Sequence, residues 1–301
     1  MGSDPPQLRF VVDGNPVAAK PLAAGLYVVA TPIGNLSDIT LRALATLAAA
    51  DIVACEDTRV SSVLIRHYGI AARLLAYHDH NAAEMRPKLL AALAEGRSIA
   101  LISDAGTPLV SDPGYRLVVE ARAAGHKVVP IPGASALLAA LVAAGLPSDA
   151  FFFAGFLPPK TAARSKRLAE LAAVPATLVF FESPQRLAAS LADMSAALGA
   201  RAAVVARELT KAFETIRSGT LADLATAYAG EATPKGEIVV VVAPPEEEIA
   251  TAEDADRLLR ALLKEKSVSN AAAEAAAATG LPKRELYRRA LALKDVNDGG
   301  E

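Results

Sequence analysis

From residue 25 onward, short runs rich in Val and Ile alternate with longer Ala- and Leu-rich segments whose apolar positions recur every three to four residues. The short runs read as strands at 26–30, 52–55, 74–77, 99–103 and 128–131. Between them lie helices. Leu41, Leu44 and Leu47 form one stripe of a helix capped at Ser37-Asp38, and later helices close near Gly69, Gly96 and Gly125. This alternation is the pattern of a doubly wound α/β sheet, which assigns 25–145 to a first domain and leaves 1–24 as a flexible tail.

Leu146-Pro-Ser-Asp149 reads as a linker, because the apolar run Phe151-Phe-Phe153 opens directly after it. A second α/β domain over 150–245 follows, with strands at 151–156, 176–181, 202–206, 214–218 and 238–242 and helices at 161–172, 184–198 and 221–228. Pro244-Pro-Glu-Glu-Glu248 ends it. Residues 252–294 hold only helical patterns, broken at Ser267-Val-Ser269 and Thr279-Gly-Leu-Pro282, which predicts a small helix-turn-helix appendage.

With 301 residues and 52% apolar content, the chain can bury two cores. The single cysteine, Cys55, excludes an internal disulfide and suits a reducing cytoplasm. Neither a leader pattern nor an apolar run of about 18 residues occurs, so a soluble cytoplasmic protein with no membrane partner is expected. A net charge of −2 advertises no polyanion partner, but two local runs do. One contains Lys160, Arg164, Lys166 and Arg167; the other contains Lys283, Arg284, Arg288, Arg289 and Lys294, opposed only by Glu285. Each is either a set of RNA phosphate contacts or a solvated helix face.

Doubly wound folds bind ligands at the carboxyl ends of their parallel strands. Pro32 and Gly34 follow the first strand there; Ser103, Asp104, Ala105 and Thr107 follow the fourth; and the Pro132-Gly133-Ala134-Ser135 turn follows the fifth. The second domain brings Phe181 and Glu182 to the interdomain cleft. No G-x-G-x-x-G dinucleotide fingerprint is present. Glu56 and Asp57 are adjacent, able to act as base and orienting group or to be neutralised by Arg59. His78 and His80 lack metal-ligand spacing, and no metal is expected.

Taken in order, Ala30-Thr-Pro-Ile-Gly-Asn-Leu-Ser-Asp-Ile-Thr40, Cys55-Glu-Asp-Thr-Arg59, Ser103-Asp-Ala-Gly-Thr-Pro-Leu-Val-Ser-Asp-Pro-Gly114, Pro132-Gly-Ala-Ser135, Phe180-Phe-Glu-Ser-Pro184, Arg207-Glu-Leu-Thr-Lys211 and Lys235-Gly-Glu237 closely resemble the RsmI family, within the tetrapyrrole-methylase-like (class III) methyltransferases. The resemblance implies two α/β domains of the tetrapyrrole-methylase type, with S-adenosyl-L-methionine held in the cleft between them, and a homodimer. It implies a donor site drawn from Pro32, Gly34, Ser103, Asp104, Ala105, Thr107, Pro132, Gly133, Ser135, Ala136, Phe181, Glu182 and Leu209. The implied reaction places a methyl group on the ribose 2′-oxygen of a cytidine in the decoding region of 16S rRNA, within the assembled small subunit. Glu56, Asp57, Glu182, Glu208 and Lys211 are the candidate catalytic groups, unranked. A tetrapyrrole or other small-molecule acceptor, and a non-catalytic RNA-binding module, are the alternatives.

Overall fold

The computed structural model describes residues 8–246 and 252–298. Two compact units are present, 1–245 and 246–301.

The larger unit begins with a hairpin of β1 (Arg9–Val12) and β2 (Asn15–Ala18), paired antiparallel. Asp13 and Gly14 make its turn at φ of +49° and +78°, the left-handed pair that a two-residue hairpin loop requires. Phe10 is buried among Leu64, Ile65, Tyr68 and Ile70, and the Val11 N–H donates to the Tyr68 carbonyl at 2.8 Å. The expected flexible tail is therefore corrected from residue 8 onward. Its signal was Asp-Gly flanked by alternating apolar residues; residues 1–7 lie outside the described region.

The first lobe contains β3 (Gly25–Val29), β4 (Ile52–Cys55), β5 (Leu74–Ala76), β6 (Ser98–Ile102) and β7 (Val128–Ile131), in the order β5-β4-β6-β3-β7 with every pairing parallel. Every residue of β4 and β6 is buried, as a sheet covered on both faces demands. Val53 and Cys55 face α1 (Leu41–Ala49) and α2 (Thr58–His67); Ile52 and Ala54 face α3 (Ala82–Ala94) and α4 (Tyr115–Ala123). Thr40, rather than Ser37-Asp38, caps α1 by accepting the Ala43 N–H, because residues 36–38 are wound into a separate 3₁₀ turn.

The second lobe contains β8 (Phe151–Phe156), α6 (Thr161–Leu171), β9 (Thr177–Glu182), α7 (Leu187–Leu198), β10 (Ala202–Arg207), β11 (Thr215–Thr220), α8 (Leu221–Gly230) and β12 (Ile238–Val242). Its strand order is β11-β10-β12-β9-β8, and only β8 and β9 run parallel. This lobe is α/β as expected, but its sheet is mixed: the connection between β10 and β11 is too short for a parallel crossover. Helices α6, α7 and α8 cover one face of the sheet.

The other face takes α5 (Ala136–Ala143), a helix that belongs to the first lobe by sequence. Its Ala140 and Leu141 pack with Val179, Val204, Val239 and Val241, so one apolar cluster joins α5 to the second sheet. Each fully buried Leu or Val of this kind contributes roughly 1.5–3 kcal/mol.

The second unit contains α9 (Ala252–Leu262), α10 (Val268–Thr279) and α11 (Lys283–Asp298). Ser267 caps α10 at its start, and Gly280, left-handed at φ +69°, ends it. Ala255, Ala271, Ala272, Ala275 and Ala290 form most of its core, so these helices approach closely around Leu259 and Leu286.

Candidate active site

Three loops at the carboxyl edge of the first sheet are tied together before any ligand is considered. Thr31 and Gly106 exchange backbone hydrogen bonds of 2.8 and 3.0 Å, linking the loops after β3 and β6. The Thr107 hydroxyl donates to the Ala134 carbonyl at 3.2 Å, linking the loop after β6 to the loop after β7. Gly133 approaches Ala30 so closely that a Cβ there would lie 3.0 Å from the Ala30 side chain. A preorganised edge results.

Between this edge and the second lobe lies a cleft of about 380 Å³. The first lobe lines it with Ile33, Ala105, Thr107, Asp112, Ser135 and Ala136; the second with Phe156, Phe181, Glu182, Leu209, Ile238 and Val239. A second cavity of about 360 Å³ adjoins it, lined by Thr31, Pro32, Gly34, Val60, Ser61, Val63, Ser103, Asp104 and Lys211. The cavities share Ile33, Ala105 and Glu237. The expected donor residues therefore divide. Ala105, Thr107, Ser135, Ala136, Phe181, Glu182 and Leu209 line the first cavity; Pro32, Gly34, Ser103, Asp104 and again Ala105 line the second. Pro132 and Gly133 line neither and instead shape the turn.

The five catalytic candidates occupy different environments. Asp57 caps α2 and holds the Arg59 guanidinium at 2.6 Å, which keeps its carboxyl down at about 2. It is a helix cap and lines neither cavity. Its N–H donates to the Asp104 carboxylate at 3.0 Å. Glu56 also lines neither cavity; burial, followed by the charges of Asp104, Asp112 and Asp79, pushes its carboxyl up. The Glu182 carboxylate is fully buried and accepts from the Ser190 hydroxyl at 2.5 Å and the Ser183 N–H at 2.8 Å, with Arg186 at 3.1 Å. It anchors the end of β9 and is not free to serve as a base.

Glu208 and Lys211 belong to a strained loop, with Glu208 at φ +53° and Thr210 at φ +66°. Glu208 Oε1 accepts from Lys211 Nζ at 2.7 Å and from the Glu237 N–H at 3.0 Å, contacts that hold its carboxyl low. Burial acts to lower the Lys211 ammonium, but Glu208 and Glu237 outweigh it and raise the value, so Lys211 is a cation rather than a base. Its Nζ is 3.2 Å from the Glu237 carboxylate.

Asp112 and Glu237 lie in motifs that carry the resemblance but were not among the candidate site residues, and Ser61 was not named. Leu109 and Ser111, at φ +73° and +66°, bend the chain so that Asp112 reaches the cleft, where burial pushes its carboxyl up. No local pattern announces two non-glycine residues in that conformation. Ser61 is hidden in the interior of α2, buried beside the Cys55 thiol.

One expected phosphate contact is corrected, Arg164, and another, Arg289, is held in ion pairs within the helical unit. Arg164 is 3% exposed, with its guanidinium 2.6 Å from Asp193 and donating to the Pro159 carbonyl, so it pins α6 to α7. Arg289 bridges Asp256 at 3.0 Å and Glu285 at 3.4 Å, tying α11 to α9. Lys160 and Lys166 are exposed, as are Lys283, Arg284 and Arg288; Arg167 pairs with Glu170 at the surface. Among the described residues no helix is long and apolar enough to cross a membrane, and no group of three or more His, Cys, Asp or Glu side chains is arranged to hold a metal ion.

A parallel lobe and a mixed lobe enclosing a cleft define the tetrapyrrole-methylase class of methyltransferases, and residues 25–225 match the family model of tetrapyrrole (corrin/porphyrin) methylases. Solved structures agree on the fold. The cobalt precorrin-4 methyltransferase CbiF aligns with a TM-score of 0.56 at 22% identity, covering 72% of this chain and 94% of its own; diphthine synthase aligns with a TM-score of 0.56 at 19%, covering 72% and 89%. Residues 249–294 match the RsmI C-terminal HTH domain. The curated ribosomal RNA small subunit methyltransferase I of Mesorhizobium japonicum is 64% identical over 95% of this chain and 97% of its own. That of Escherichia coli O157:H7 is 51% identical over 88% and 94%. The chain belongs to the ribosomal RNA small subunit methyltransferase I family.

Proposed function

We propose that this protein transfers a methyl group from S-adenosyl-L-methionine to the ribose 2′-oxygen of a cytidine in the decoding region of 16S rRNA, acting on the assembled small subunit in the cytoplasm. The carrying observation is the extent of the relationship. The solved CbiF and diphthine synthase structures cover 72% of the chain, whereas the Mesorhizobium japonicum and Escherichia coli relatives named for small-subunit rRNA extend over 95% and 88% of it, and the RsmI C-terminal model matches the helical unit. A tetrapyrrole acceptor gives no reason for that unit.

The first cavity suits the donor. Ser135 and Ala136 bring the N-terminus of α5 to its wall, where unpaired N–H groups favour a carboxylate. Asp112 offers an anion for an ammonium, and Phe156 and Phe181, 5.7 Å apart, offer aromatic faces for a purine. When bound, the donor supplies an already activated methyl on a sulfonium sulfur. The residues of the chain then have to fix the geometry and exclude water.

Lys160, Lys166, Arg167, Lys283, Arg284 and Arg288 are the proposed phosphate contacts. A homodimer is proposed from exposed apolar side chains: Leu138 and Val142 on α5, and Phe151 and Phe152 on the edge strand β8.

The test is incubation with labelled donor and either undermodified small subunits or free tetrapyrrole, followed by nuclease digestion and mass spectrometry. Label on a cytidine ribose is expected. Label on a base, or on tetrapyrrole alone, overturns the proposal.

A further inference from the structure

Among the described residues, Glu237 is the one ionisable residue that lines both cavities. A methyl-transfer reaction needs its acceptor oxygen at the boundary between donor and acceptor, so a residue lining both compartments stands where the reacting atoms meet. Of the other carboxylates nearby, Asp57 pairs with Arg59, Glu182 is held by Ser190 and Arg186, Glu208 by Lys211 and the Glu237 N–H, and Asp104 by the Asp57 N–H, while Asp112 lines the first cavity alone and Glu56 lines neither. The Glu237 side chain is 68% exposed and contacts Lys211 Nζ at 3.2 Å. Its carboxylate is accessible to an incoming hydroxyl.

The second cavity has the chemistry of a nucleoside site. Val60 and Val63, 45% and 51% exposed on α2, provide apolar wall at its mouth. Thr31, Ser103 and Asp104 provide hydrogen-bonding groups, and Ser61, buried beside the Cys55 thiol, is a further polar residue on its wall. Lys211 places an ammonium there, fixed from two sides by Glu208 and Glu237.

We propose that the second cavity receives the acceptor ribonucleoside, and that Glu237 and Lys211 act together on its hydroxyl, Glu237 taking the proton and Lys211 holding the oxygen. This rests on the ribose-methylation reading above. As the hydroxyl oxygen bonds to the methyl carbon, the carbon–sulfur bond breaks with its electron pair passing to the sulfonium sulfur, and the hydroxyl proton passes to the Glu237 carboxylate. Charge is conserved: a cationic donor becomes a neutral thioether and an anionic carboxylate becomes a neutral acid. Lys211 remains protonated throughout and steadies the negative charge developing on oxygen.

The experiment compares the full-length parent with Glu237→Gln, Lys211→Met, Asp104→Asn and Val60→Trp on undermodified small subunits. Single-turnover methyl transfer is read alongside donor affinity by titration calorimetry. Glu237→Gln is expected to lower the transfer rate by about 10²–10³, and Lys211→Met by about 10², with donor affinity within about twofold of the parent in each. Val60→Trp, which fills the mouth of the second cavity, is expected to raise KM for the subunit with donor affinity unchanged. A Glu237→Gln variant that keeps a third of the parent rate, or loses donor affinity in step with rate, overturns the assignment of Glu237. Asp104→Asn carrying the larger rate loss overturns it too. A Val60→Trp variant with parental KM overturns the placement of the acceptor. Each of these requires a parent that labels ribose; a parent that labels a base instead overturns the underlying reading.

Discussion

The aliphatic stem of Lys211 lies across Gly34, so closely that a Cβ at residue 34 would fall 2.4 Å from Lys211 Cγ and 2.7 Å from Cε. The ammonium at its end meets Glu208 and Glu237. A glycine of the first lobe thus makes room for a cation of the second, and the reason for Gly34 is a side chain distant in sequence.

Gly34→Ala should therefore resemble Lys211→Met. The flexible stem can swing aside, but residue 34 has φ +156°, where a side chain strains the backbone, so stability should fall by roughly 1–3 kcal/mol, while methyl transfer falls by about tenfold or more as the ammonium leaves its two carboxylates. Thermal melting and single-turnover transfer, measured side by side, check this. Gly236→Ala is the counterpart beside Glu208: residue 236 has φ +95°, and its Cβ would lie 2.2 Å from Glu208 Cδ. Backbone strain there should likewise add roughly 1–3 kcal/mol of destabilisation. A parental transfer rate in Gly34→Ala would show that the position of Lys211 is immaterial.

Periodicity located the strands and helices well because they are regular and covered: Ile52 to Cys55 reads as a buried run and is one. Strand direction was not legible, since β10 and β12 have the same Val-rich texture whether their partners run parallel or antiparallel. The site was legible as a set of loops, but the division between two cavities was not. That division depends on Leu109 and Ser111 adopting left-handed conformations and on α5 crossing to the other sheet, and neither leaves a short-range pattern. Arg164 was misread for a related reason: its cationic neighbours are exposed, and only its partner Asp193, on another helix, shows that it is buried.

Arg164→Ala should destabilise the larger unit by about 3 kcal/mol or more, because it leaves Asp193 partly buried without its cation. Arg164→Leu combined with Asp193→Leu should recover much of that loss. Lys166→Ala, at an exposed position on the same helix, should change stability by no more than about 0.5 kcal/mol. Urea denaturation distinguishes them; equal effects from Arg164→Ala and Lys166→Ala would mean that the ion pair does not hold α6 to α7.

Glu56 should make stability depend on pH in the direction opposite to a salt-bridged carboxylate. Burial and the charges of Asp104, Asp112 and Asp79 raise its folded value above the ordinary 4.5, so the folded state holds this proton more tightly than the unfolded chain does. The contribution is complete below 4.5 and is lost as pH rises through the raised folded value. Glu56→Gln should accordingly melt close to the parent at about pH 4 and above it at about pH 8. A larger gain at the acid end would refute the sign.

Helix α11 allows charge and stacking to be separated. Arg284, Tyr287, Arg288 and Leu291 recur at spacings of three and four and are exposed, with Tyr287 at 42% and Leu291 at 41%, so they share one face. Arg289 is turned away toward Asp256. If that face meets RNA, Arg284→Ala and Arg288→Ala should each reduce the slope of log affinity against log salt by about 1, because each removes one phosphate contact and its released counterion. Tyr287→Ala should instead cost roughly 1–3 kcal/mol of affinity with the slope intact, since stacking on a base releases no counterion. Arg289→Ala should lower the melting temperature of the helical unit through loss of its pairing with Asp256 and Glu285. Filter binding to small-subunit rRNA over a range of salt reads the first three variants. A slope unchanged by both arginine substitutions would assign the face to something other than phosphate, because two exposed cations cannot neutralise a polyanion without releasing its counterions.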